Sequence, residues 1–298
     1  MRIRVAATVL SGAVALSALA VPVAAQAASN PSAKARLSSF SANTASAASA
    51  AHAANSAQTV RPKTGIGSIA FSKGVVNGGK DIVLGTTTKK SVTATYTATS
   101  SSGVAVTEAF LWQGTDPSST DTITGALGTD DDPVCTESTT QTGVYSCKAV
   151  FNIDAAADMP GNGAAGTWKL AIGGYDLSAN ASFDDNIGTG KIKKASKLTV
   201  DATPEPVKKG KTITVTGKLT RADWNTGKYS GYASQKVQLQ YRKKSSTTYT
   251  TLKTITAGTG GALKTTVKAT ADGYYRYSFA TNATTGASTA TGDYVDVK

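Results

Sequence analysis

This chain contains one histidine, two cysteines and three glutamates, so it is poor in the residue types on which most catalytic and metal sites depend. The histidine, His52, stands in a run of alanine and serine. It has none of the rigid surroundings that hold a catalytic imidazole beside its nucleophile. Ser-His-Asp and Cys-His chemistry are therefore not expected, and histidine-based zinc sites go with them. The glutamates are Glu108, Glu137 and Glu205, and nothing in their spacing sets two carboxyls across a cleft as glycoside hydrolysis requires. The glycines fall in turns, without the strand–loop–helix setting and terminal Lys-Ser/Thr of a phosphate loop. Amphipathic helix periodicity is absent, and no run beyond the N-terminus approaches the roughly 20 apolar residues of a membrane span. No enzyme is expected, and no resident cofactor.

The N-terminus supplies an address. Met1-Arg2-Ile3-Arg4 is followed by small apolar residues from Val5 to Ala20 and by Ala25-Gln26-Ala27, the three parts of a secretory signal peptide over residues 1–27. The C-terminal residues Asp293–Lys298 read as a strand without a sorting motif, so a freely secreted, extracellular product is expected, with no membrane association after cleavage. In such a compartment Cys135 and Cys147 imply one disulfide closing a short loop, contributing about 3 kcal/mol. A metal pair would need further Cys or His ligands that the chain lacks.

Residues 28–58 are nearly all Ala, Ser and Asn and are expected to form a disordered tether. Beyond them the apolar residues alternate with period two, as in half-buried strands. Val92, Ala94, Tyr96 and Ala98 alternate with threonines. Val104, Val106, Phe110 and Trp112 share a face that Glu108 interrupts. In Gly273–Ala280, Tyr275, Tyr277 and Phe279 share one face and Tyr274, Arg276 and Ser278 the other. Gly166–Ile172 repeats that pattern around Trp168, and each of these two segments is expected to be the central strand of its own sandwich. The polar stretch from Gln113 to Val144 is long for a loop and is expected to hide a hairpin or carry function. The reading is all-β: two tandem Ig-like antiparallel β-sandwiches, over residues 59–194 and 195–298, behind the signal peptide and tether.

One resemblance supports this. Leu198–Leu219 (LTVDATPEPVKKGKTITVTGKL), with Val237–Arg242 and Gly273–Tyr277, resembles the bacterial Ig-like modules of streptomycete secreted proteins. The resemblance implies an exported β-sandwich protein, and some members of that family are called calcium-binding.

Charge points to partners. The formal net charge is +12, yet residues 59–197 carry twelve bases against thirteen acids while residues 198–298 carry fifteen against six. The second module therefore holds the positive charge, with Lys208, Lys209, Lys211, Arg242, Lys243 and Lys244 as a basic patch. An anionic envelope polymer or polysaccharide is the expected partner. Nucleic acid is not expected, since no binding motif accompanies the bases. The alternative is an extracellular calcium-binding protein using acidic loops of the first module. Its candidate ligands are Asp116, Asp130, Asp131 and Asp132, with Asp121 nearby, and Asp176, Asp184 and Asp185, with Asn180. None of these has the alternating spacing that aims successive carboxylates at one ion. Tyr229 and Tyr232, near Trp224, are candidates for stacking on sugars.

Overall fold

The computed structural model describes residues 33–44 and 69–298. The expected leader, His52 and the Ala/Ser residues on either side of 33–44 lie outside them. The regular structure of the described residues is mostly strand, arranged as four sheets around two main cores.

Period-two alternation builds each sheet pair. In β3 (Lys89–Thr99), Val92, Ala94, Tyr96 and Ala98 are buried, which turns the intervening threonines outward. With β1 (Ala70–Val76), β7 (Val144–Asp154) and β6 (Val134–Glu137), it forms an antiparallel sheet in the order β1-β3-β7-β6. Facing it is a five-stranded sheet of β2 (Ile82–Leu84), β4 (Val104–Gly114), β5 (Ile123–Gly128), β8 (Gly166–Asp176) and β9 (Ala181–Lys194), in the order β2-β9-β8-β4-β5. Here the expectation of a purely antiparallel sandwich needs correction, because β2 runs parallel to β9 with Ile82 beside Ile192. The long polar stretch 113–144 contains β5 and β6, which join different sheets. Trp168 lies at the centre, fully buried, and its indole N–H donates to Ala164 O at 2.8 Å. Burying a side chain of this size contributes at least ~1.5–3 kcal/mol, and the paired indole removes the desolvation cost.

The second unit follows the same rule. β10 (Ser196–Thr203), β11 (Thr212–Asp223), β12 (Lys228–Gly231) and β15 (Ala262–Lys268) form one sheet, with β11 pairing all three others. Opposite lie β13 (Lys236–Lys243), β14 (Thr250–Thr256), β16 (Gly273–Phe279), β17 (Ser288–Thr289) and β18 (Asp293–Val295). As expected, β16 is an interior strand and strictly half-buried: Tyr275, Tyr277 and Phe279 enter the core. The Tyr277 hydroxyl donates to Val215 O at 2.8 Å, and burial pushes its pKa up to about 12.

A second correction concerns the tether. Residues 33–44 form a helix, α1. Ala33 and Leu37, four apart and so on one face, are fully buried against Phe110, Trp112, Ile123, Ala126 and Ala171 on the outer face of the five-stranded sheet. Phe40 fits a notch at Gly173, where a Cβ would collide with its ring. The Arg36 guanidinium pairs with Glu108 at 3.1 Å. Residues 33–44 are thus held by Ala33, Leu37, Phe40 and one ion pair, in a segment otherwise dominated by alanine and serine. This also explains β4, where Ala109 and Leu111 face the main core while Phe110 and Trp112 face α1. Glu108 belongs to that outer face. Val104 and Val106 do not share a face, because the register with β8 slips between them; Val104 packs inward and Val106 is exposed.

The two units meet without an intervening linker. From β9 the chain enters β10 at Ala195, whose N–H donates to Leu84 O and whose carbonyl accepts from Ala222 N. Asn162 of the first unit donates to Asp223 Oδ1 at 2.7 Å, and its own oxygen accepts from Lys194 Nζ and Trp224 N. Lys193, also buried, pairs with Asp81 and donates to Thr281.

Candidate anion-binding surface

Cys135 and Cys147 are directly opposite one another on β6 and β7 and form the expected disulfide.

The structure does not bring the candidate calcium ligands together. Among the described residues, no group of three or more His, Cys, Asp or Glu side chains is arranged to hold a metal. Asp116 accepts from the N–H and hydroxyl of Ser118, closing its own turn. Asp130 accepts from Asn152, while Asp131 and Asp132 are exposed. Asp176 is buried at the end of β8. Hydrogen bonds from the Asn180 side chain and from the Asn180 and Ser178 N–H groups hold its carboxyl below the usual range. Asp184 accepts from Asn186 N, and the Asp185 carbonyl accepts from the Trp112 indole at 2.8 Å. The carboxylates of Asp116, Asp130, Asp176 and Asp184 each take separate local donors.

The basic residues behave differently. Lys208, Lys209 and Lys211 lie on the turn between β10 and β11. Gly210 N donates to Ala269 O, Ala269 N to Lys211 O and Lys209 N to Lys298 O, which fastens that turn to the β15–β16 loop and the C-terminal segment. Lys243 ends β13 opposite Gly273, and Lys244 N donates to Asp272 O across the same loop. Two groups some thirty positions apart therefore flank residues 269–273, at the end of the sandwich away from Ala195. Lys218, Lys264 and Lys268, which the sequence reading missed, extend the charge over the outer face of β11 and β15. The available signal was their alternation with Ile213, Val215 and Leu263. Among the described residues of the second unit, the one ion pair is Lys298–Asp296 at 3.8 Å.

Arg242 leaves the lysines. Its guanidinium lies 3.8 Å from the Tyr274 ring centroid and 5.3 Å from that of Tyr249, on the outer face of the opposite sheet. Arg276, its diagonal neighbour on β16, lies 3.6 Å from Tyr249. Tyr274 meets Tyr294 at 5.2 Å, and Lys244 stands 5.3 Å from Tyr294. Tyr249 reaches across the sheet because residue 292 is glycine; a Cβ there would collide with its hydroxyl. The result is a half-exposed row of cations and rings. The ladder ends at a hollow of about 480 Å³ lined by Lys243, Lys244, Ser245, Ala271 and Asp272. The Val297 N–H, the Tyr294 hydroxyl and the Lys244 charge hold the Asp272 carboxyl below its usual range.

Tyr229 and Tyr232 are occupied locally. Lys197 stacks on the first at 3.9 Å, and Arg221 on the second at 4.0 Å. Trp224 packs against the first core.

No family model matches the chain, and no curated protein matches it either. Solved structures similar to it include fibronectin(III)-like modules of Clostridium thermocellum CbhA, at 13% identity and TM-score 0.31, over 76% of this chain and 93% of that one. The Yersinia pseudotuberculosis adhesin InvE is 15% identical with TM-score 0.27, over 78% and 61%. The mouse nectin-like molecule 4 ectodomain is 14% identical with TM-score 0.25, over 76% and 65%. At these scores the likenesses carry no argument about activity, and the functional reading rests on the geometry above.

Proposed function

We propose that this is a secreted, non-catalytic structural or interaction protein of the cell envelope, whose basic second sandwich adheres to an anionic envelope polymer. One observation carries the reading: Lys208, Lys209, Lys211 and Lys243 from two separate turns converge on one end of the fold, continuous with Lys218, Lys264 and Lys268, and none has a carboxylate partner among the described residues. Unneutralised charge of one sign stabilises nothing within the fold and attracts polyanions. The disulfide supports an oxidising, extracellular setting. Among the described residues no helix is long and apolar enough to cross a membrane.

The test is retention of the full mature chain on isolated cell envelopes across a salt series. Exposed charges are screened as the Debye length falls from about 10 Å at 0.1 M to about 3 Å at 1 M, so release within that range is expected. Replacing Lys208, Lys209 and Lys211 with Glu should shift release to lower salt. Retention indifferent to both salt and charge reversal would overturn the reading.

A further inference from the structure

We propose that the outer face of the β13–β16 sheet is a binding site for a carboxylate-bearing polysaccharide, with Arg242 and Arg276 as its paired oxyanion anchors. This rests on the envelope-polymer reading and moves its specificity away from the lysine-rich end.

Two guanidinium groups stand against the same Tyr249 ring, 5.3 and 3.6 Å from its centroid, and neither makes an ion pair among the described residues. Like charges held so close repel. What holds them is neutral: Arg242 Nη1 donates to Ser246 O at 2.8 Å, and Arg276 Nε donates to Gln240 Oε1 at 2.9 Å. Contact with Tyr274 and Tyr249, together with these two hydrogen bonds, restrains both guanidiniums and leaves their remaining donors unused. A guanidinium already restrained loses little entropy when it takes a carboxylate through two parallel N–H bonds. Carboxylates bound at the pair would also relieve their repulsion.

The surroundings define the rest of the ligand. Gln238 and Gln240 project from the same face of β13. Tyr274 and Tyr294 continue the row to the hollow beside Lys243 and Lys244. Amides and ring edges next to a cation pair suit a chain of hydroxylated rings carrying carboxylates. A phosphate chain would meet the forks but leave the amides and rings without a partner.

The experiment titrates the full mature chain with oligogalacturonate, inorganic polyphosphate and neutral dextran. It follows affinity by calorimetry and the Arg Nε–H resonances by NMR. Oligogalacturonate is expected to bind more tightly than polyphosphate at equal ionic strength, and dextran not to bind. The Arg242 and Arg276 resonances should shift on titration. Arg242→Lys with Arg276→Lys keeps the net charge but removes both forks, and should weaken oligogalacturonate binding about tenfold or more while leaving the salt-dependent retention on envelopes in place. If that variant fails to fold, the resonances of the unaltered protein decide the matter. Unmoved resonances, or equal binding of polyphosphate and oligogalacturonate, would overturn the site while the envelope reading stands. Failure of the unaltered chain to be retained on envelopes or to bind any polyanion would remove both.

Discussion

The Trp224 indole N–H donates to Gly85 O at 2.9 Å, joining two residues 139 positions apart and one sandwich to the other. Beside it, Asn162 takes Lys194 Nζ and Trp224 N on its oxygen and gives its amide to Asp223. The units therefore meet through a satisfied polar network, which holds orientation more specifically than apolar contact does.

Asn162→Ala leaves an ammonium, a carboxylate and a backbone N–H without this shared partner. A loss of about 1–3 kcal/mol is expected, with separation of the two unfolding transitions in calorimetry and a broader interunit distance distribution in solution scattering. A single transition at an unchanged midpoint would show that the network does not couple the units.

The docking of α1 depends on Leu37 and on the notch at Gly173. Leu37→Ala should cost up to about 3 kcal/mol, and Gly173→Ala should displace Phe40. Both should expose the amides of residues 33–44 to hydrogen exchange while those of β3 and β7 stay protected. Protection unchanged in 33–44 would refute this account of the helix.

Reduction, or replacement of Cys135 and Cys147 by Ala, should lower the stability of the first unit by about 3 kcal/mol. The second unit has its own core, so its transition should move much less. Denaturant unfolding followed separately by Trp112 and Trp168 fluorescence and by the tyrosines of β16 checks this; equal shifts in both would argue against it.

Alkaline pH should unfold the second unit before the first. Burial pushes Tyr96, Tyr275 and Tyr277 from 10.0 to about 12, opposed at Tyr96 by the Thr107 hydroxyl. A folded pKa above the unfolded one means that the folded state holds the proton more tightly. The stabilising contribution is therefore complete below pH 10 and is lost as pH rises towards 12, by about 1.4 kcal/mol per pH unit for each tyrosine. Lys194 acts in the opposite sense: burial, with Arg221 beside it, lowers its pKa from 10.5, so deprotonation relieves a cost as pH rises. The second core holds two of the three tyrosines, hence the order. Complete tyrosinate formation by pH 10 with the fold intact would contradict this.

Alternation is a local property, which is why so much of the fold was legible without coordinates. The residues that face inward in β3 and β16 follow from a period of two, and the Cys135–Cys147 pairing follows from an even cysteine count in a chain whose N-terminus reads as an export signal. Parallel β2 escaped because three residues carry too little pattern to reveal a direction. Glu108 did register as an anomaly in the sequence, but its partner Arg36 is 72 positions away, in a segment whose composition argues for disorder. The candidate site divides in the same way. Positive charge could be assigned to the second half of the chain by counting. That Lys208 and Lys243 share an end, that Arg242 leaves them for Tyr249 and Arg276, and that the seven candidate aspartates form no metal-holding group depend on strand register and on which loops pack together. Those contacts are long-range, and only folding creates them.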